Sequence, residues 1–181
     1  METEPRIYVA CLASYNAGTL HGKWINANQD ADDIATEVAA MLAESPEPGA
    51  EEWAIHDSEG FYGLKLGESD SWEAVATLAA SLAEHGPAYA AYIDCVGADY
   101  ATSEGFEDAY RGNYDSEEGF GWEFYTDCNG DPTAKGDELA PYMHHAVNAW
   151  SEDLFRNGGF DAIRASEYGD DTGVYVFNTN G

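Results

Sequence analysis

The sequence predicts an α+β chain of three small modules, and three observations predict it. Residues 1–66 alternate apolar and polar positions between turn signals, around a single helical stripe. Residues 67–103 carry helical periodicity alone, and residues 104–181 carry both patterns. The chain has 181 residues, enough for one ordinary domain or two to three very small ones. At 44% hydrophobic and 13% aromatic it can build a core despite its charge.

In the first module, residues 6–13 read as a strand, with Ile7, Val9 and Cys11 on one face and Tyr8, Ala10 and Leu12 on the other. Asn16 to Gly18 is turn chemistry, and residues 22–25 return as a second strand. Asp30 is placed to cap a helix reaching Glu44, whose apolar face is Ile34, Val38, Met41 and Leu42. Pro46, Pro48 and Gly49 end it, and residues 52–56 and 61–66 then read as a hairpin around 57–60. The middle module opens on Asp70 and Glu73, a capping-box pattern. Trp72, Val75, Leu78 and Leu82 form its stripe, closed by Gly86 and Pro87, and residues 89–96 and 99–110 read as further short helices. In the last module Asp115 and Glu118 suggest the start of a helix carrying Phe120 and Phe124. Pro141 fits the first turn of a helix facing inward through Met143, Val147, Trp150 and Leu154, and Gly158 and Gly159 stop it. Residues 160–165 and 173–177 close the chain as strands around the turn at 169–171.

Seven Lys and Arg against 35 Asp and Glu leave a formal charge of −28. Direct binding to nucleic acid or to an anionic membrane is disfavoured, because both need a basic patch. The expected partner is itself basic. The first residues lack a basic n-region, so no signal peptide is expected, and no apolar run approaches the roughly 18 residues of a membrane span. Cys11, Cys95 and Cys128 are odd in number, far apart and without a CxxC pair, which suits a reducing cytoplasm.

Chemistry-bearing motifs are sparse. Residues 127–138 nearly fit a calcium loop, with Asp127, Asn129, Asp131 and Glu138 at ligand positions. Pro132 stands where the sharp turn needs glycine, however, and Lys135 would repel a cation. His21, His56, His85, His144 and His145 show no ligand spacing. There is no GxSxG, and the glycines at 60–63 and 119–121 have neither the spacing nor the Lys of a phosphate loop. Two carboxylates could meet for glycosidase-type chemistry, but no local feature selects a pair. The expectation is no enzyme, no metal and no cofactor, with a calcium-binding protein kept as an alternative.

The carboxylates are the stronger signal. On the first predicted helix Asp30, Asp33, Glu37 and Glu44 fall within roughly 60° of one another at 100° per residue. Carboxylates three or four residues apart on a helix stand about 5–6 Å apart, comparable to the phosphate step of one nucleic-acid strand. Further clusters are Glu68, Asp70 and Glu73; Glu104, Glu107 and Asp108; and Asp115, Glu117 and Glu118, with Glu123 beyond them. Between 104 and 138 eleven acids face only Arg111 and Lys135. Any one run is ordinarily a solvated face, and adaptation to high salt would acidify a whole chain of unrelated function. Both readings stay open. At one charge per roughly 1.7 Å of B-DNA axis, 28 charges span about 48 Å, against a diameter near 40 Å for a compact globule of this length. Matching DNA along one surface therefore favours an elongated molecule, a dimer, or both.

The segments Pro5 to Val9, Leu12, Tyr15, Asn16, Gly18, Leu20, Gly22, Trp24 and Ile25, then Glu51 to Asp57 and Glu59 to Phe61, closely resemble the ArdA antirestriction family. Phe106 to Gly112, Tyr114, Ser116 and Glu118, then Leu139 to Tyr142, Asp153 to Phe155, and Val176 with Phe177 resemble its C-terminal part. Residues 156–159 and 169–171 depart from the family pattern. The resemblance implies a DNA mimic carried by mobile elements, built as a long, curved homodimer of three small domains joined through the C-terminal ones. It implies occupancy of the DNA-binding groove of type I restriction–modification enzymes, without catalysis or cofactor.

Overall fold

Among the described residues 50% are helical and 19% lie in strands, so the fold is mixed as the patterns predict. The computed structural model describes residues 4–135, 140–169 and 171–180. Its contacts gather into two compact units, Met1–Ala90 and Ala91–Gly181.

The first unit is a three-stranded antiparallel sheet in the order β2-β1-β3, formed by β1 (Arg6–Cys11), β2 (Gly22–Asn26) and β3 (Trp53–Glu59). Ile7, Val9, Ala10 and Cys11 are fully buried, which puts the most apolar strand in the centre. Helix α2 (Ala31–Ala43) packs on the sheet and buries Ile34, Val38 and Met41, the face its periodicity predicts. Asp30 is its N-cap residue and Glu44 its C-cap. Two expectations are corrected. Leu12 leaves the sheet to begin a short helix, α1 (Leu12–Asn16), whose buried Ser14 hydrogen-bonds Ser45 at 2.8 Å between hydroxyls. The hairpin does not form: β3 runs through the expected turn and pairs with β1, and residues 61–66 are not a strand. Gly60, Tyr62 and Gly63 all have positive φ (78°, 50° and 85°), and three left-handed residues in four cannot continue a ladder. The chain returns past the sheet all the same, with the Ile55 N–H donating to the Glu68 carbonyl at 2.8 Å.

Helix α3 (Trp72–His85) packs on α2 and buries Val75, Ala79 and Leu82. Its cap is Ser71, whose hydroxyl accepts from the Ala74 N–H at 3.2 Å. Asp70 instead accepts from the Gly67 N–H at 2.7 Å and so shapes the loop before the helix. The next helix, α4 (Pro87–Val96), carries the boundary between the units, and its residues 88–93 are all buried.

The second unit adds α5 (Ser103–Ala109), β4 (Tyr110–Tyr114), α6 (Glu117–Asn129), a 3-10 turn (Pro132–Lys135), α7 (Ala140–Asn157), β5 (Phe160–Arg164) and β6 (Val174–Asn178). The strands form a second antiparallel sheet in the order β4-β6-β5. The β5–β6 pair is the predicted closing pair; β4 falls where the periodicity placed the end of a helix and a loop. Phe120 of α6, Phe160 of β5 and Val176 of β6 form the core, with Phe124, Leu154 and Phe155 packed against them. Helices α6 and α7 lie so close at Gly121 that a Cβ there would sit 2.3 Å from the Cβ of Ser151. Ser151 is buried, and its hydroxyl donates to the Glu117 carbonyl at 3.0 Å.

Candidate partner-binding surface

Both units are acidic. The first holds 16 Asp and Glu against 3 Lys and Arg, the second 19 against 4, so the charge is a property of the whole chain and not of a tail. Among the described residues, three carboxylates pair with a Lys or Arg. Arg6 binds Glu59 and Lys23 binds Glu37, both at 2.5 Å, and Arg156 approaches Glu152 at 3.9 Å.

Of the row predicted on α2, Asp30, Asp33 and Glu44 are exposed. Glu37 is half-buried and engaged within its own unit: Lys23 holds one oxygen and the Gln29 amide donates to the other at 3.0 Å. The hydrogen bonds from Lys23 and then Gln29 lower its pKa below the ordinary carboxylate range, against a small opposing effect of burial. Asp32, beside Asp33 in the first turn, is exposed too and belongs with the row by position, although its angular phase hid it in the sequence. Two acids at a helix N-terminus are favoured by the unpaired N–H groups there, which offsets part of their mutual repulsion.

Glu68 and Glu73 are exposed, whereas Asp70 is half-buried and spends an oxygen on the Gly67 N–H. Glu104, Glu107 and Asp108 are exposed on α5, whose cap is the Thr102 hydroxyl accepting from the Gly105 N–H at 3.0 Å. Asp115, Glu117, Glu118 and Glu123 are exposed as well, and Ser116 rather than Asp115 caps α6. Asp115, Glu117 and Glu118 come together on an open cavity of about 510 Å³, which Glu152 of α7 and Arg164 of β5 also line. Asp108 and Arg111 share a second cavity of about 480 Å³ with Tyr92 and the segment 178–180.

The near-match to a calcium loop takes a different shape. Asp127 and Asn129 lie within α6, so the first two ligand positions are helical and not looped. Asp131 accepts from both the N–H and the hydroxyl of Thr133, at 2.8 and 2.7 Å, and these bonds lower its pKa. Glu138 lies outside the described residues.

Aromatic residues accompany the acids in an arrangement that the sequence did not announce. Trp53, first in β3, and Trp72, first in α3, pack against each other with ring centroids 4.0 Å apart and planes inclined by 31°, and both remain half-buried. On the sheet the Arg6 guanidinium lies 4.8 Å from the centre of the Trp24 ring while Glu59 grips it. No signal in linear spacing reveals either contact, because each joins elements distant in the chain. Among the described residues, no helix is long and apolar enough to cross a membrane.

The sequence model of one protein family, described as antirestriction protein (ArdA), matches residues 7–167. No curated protein matches the chain.

Proposed function

Because the chain belongs to the ArdA antirestriction family, whose members are inhibitors of restriction–modification enzymes, we propose that it protects incoming DNA by standing in for B-DNA in the DNA-binding groove of type I enzymes. The observation that carries this reading is the surplus of exposed carboxylates without a cation of their own. Twelve of the fourteen acids singled out above are exposed, and only Glu37 is held by a lysine. Basic residues lining the groove bind these carboxylates in place of phosphates. Bases are not imitated, so inhibition ignores the enzyme's recognition sequence. The protein works in the cytoplasm without cofactor or catalysis. Three modules, residues 1–66, 67–103 and 104–181, present the acids, and the last joins two copies in a homodimer. That pairing doubles the charged length at an unchanged charge density, which is consistent with B-DNA.

The test is competition on the methyltransferase core of a type I enzyme. Labelled DNA should be displaced by this protein, with equal potency on enzymes of different recognition sequence. Simultaneous binding of DNA and protein to one core would end the mimicry reading.

A further inference from the structure

The Trp53–Trp72 pair lies in the first unit beside a set of exposed acids. Glu51 and Glu52 precede Trp53 in the chain, Glu73 follows Trp72, and the Ile55–Glu68 backbone bond brings Glu68 alongside the same strand. All four carboxylates are exposed. The rings meet at 4.0 Å, inclined by 31°, yet both keep part of their surface open to solvent. Half-open indoles on a segment that also carries exposed carboxylates suit one kind of side chain above others. A guanidinium is planar, stacks on an aromatic face, and can pair with a carboxylate at its edge while doing so; a lysine ammonium is a compact, strongly hydrated point charge. The molecule already shows this chemistry internally, where Arg6 lies over Trp24 and donates from Nε and Nη2 to Glu59 at 2.7 and 2.5 Å.

We infer that the Trp53–Trp72 pair, with the exposed Glu52 and Glu73 next to it in the chain, is a docking point for an arginine side chain of the basic partner protein. The inference rests on the reading that the partner is a basic protein, and it adds an element that phosphate mimicry lacks. Aromatic residues and arginine are the side chains most often found at the energetic centre of protein interfaces, whereas exposed ion pairs contribute little singly. The carboxylate rows would then supply attraction and approach, and the indole pair a fixed point of contact.

Titration of the intact protein with oligo-arginine and oligo-lysine peptides of equal length tests this, followed by the indole N–H signals in NMR spectra. Oligo-arginine should bind about two- to fivefold more tightly than oligo-lysine, as an exposed cation–π contact provides. The Trp53 and Trp72 signals should shift, and that of Trp24 should not, because Arg6 already covers its ring. Trp53→Leu and Trp72→Leu should erase the preference for arginine while both peptides still bind through the carboxylates. Equal affinity for the two peptides, or Trp53 and Trp72 signals that stay unmoved, would overturn the proposal. Should the leucine variants fail to fold, the spectra of the unaltered protein still decide. Failure here leaves competition with DNA untouched, whereas failure of that competition leaves an arginine preference standing, so the two readings can be told apart.

Discussion

A carboxylate that keeps its own cation has less to offer a partner, and this separates Glu37 from its neighbours on α2. Lys23 and Gln29 already satisfy it, and its pKa is lowered by those bonds. A carboxyl whose folded pKa lies below its unfolded one contributes stability above the unfolded value, and loses it as pH falls through the folded value. Glu37→Gln should therefore cost at most about 1 kcal/mol at pH 7, since the pair is largely solvated. Melting curves should show that deficit shrinking as pH drops below the ordinary carboxylate range. Asp33→Asn should leave melting nearly unchanged but weaken partner binding slightly more than Glu37→Gln does. The cysteines offer a second check at this scale. Burial, and then the negative charge of Asp161, pushes the Cys95 thiol up to about 11, whereas Cys128 is exposed. The thiolate is the reactive form, so iodoacetamide at pH 8 should label Cys128 well before Cys95, as peptide mass mapping would show.

At the scale of elements, packing and capping decide where the sequence patterns succeed. Helix α2 was legible because its acids and its apolar stripe agree: Ile34, Val38 and Met41 repeat at helical spacing, and all three are buried. Strands β5 and β6 were legible to within one residue at each end, with Gly159 and Gly173 immediately before them. Strand β4 was not, since Tyr110, Arg111, Gly112, Asn113 and Tyr114 alternate polar and aromatic residues no more clearly than a loop does. Only pairing with β6, far along the chain, makes it a strand. The expected hairpin failed on three left-handed residues in four, Gly60, Tyr62 and Gly63, of which Tyr62 is the one that no propensity announces. Caps were read one residue early, because Asp70 and Asp115 compete with the adjacent Ser71 and Ser116 and only geometry shows which oxygen meets the helix. The acids of the candidate surface were readable as a list; their freedom from partners was not, because Lys23 reaches Glu37 from another element. Ser71→Ala should cost about 1 kcal/mol of stability, the usual value of an N-cap, while Asp70→Ala should perturb only the preceding loop. Gly121→Ala should cost about 1–3 kcal/mol, since its Cβ would meet Ser151 at the closest approach of α6 and α7. Thermal denaturation of the three variants would rank these effects, and a Gly121→Ala protein as stable as its parent would refute the packing argument.

For the molecule as a whole, a charge of −28 sets two opposite responses to salt. Within the free protein like charges repel, and added salt screens them, so stability should rise from low to moderate ionic strength. In the complex the same carboxylates attract a basic groove, and screening removes that attraction, so affinity should fall steeply over the same range. A chain adapted to high salt would behave differently: it would lose its fold at low salt, and no acid-dependent binding would accompany it. Melting temperature and affinity for a methyltransferase core, measured together between about 20 mM and 500 mM salt, should therefore move in opposite directions. Parallel movement, or unfolding at the low end, would favour halophilic adaptation over DNA mimicry. The gain in stability should also be the smaller of the two effects. Repulsion within the free protein is spread over exposed charges that water already weakens, whereas in the complex many carboxylates face one basic surface together and the screening of each contact adds to the loss.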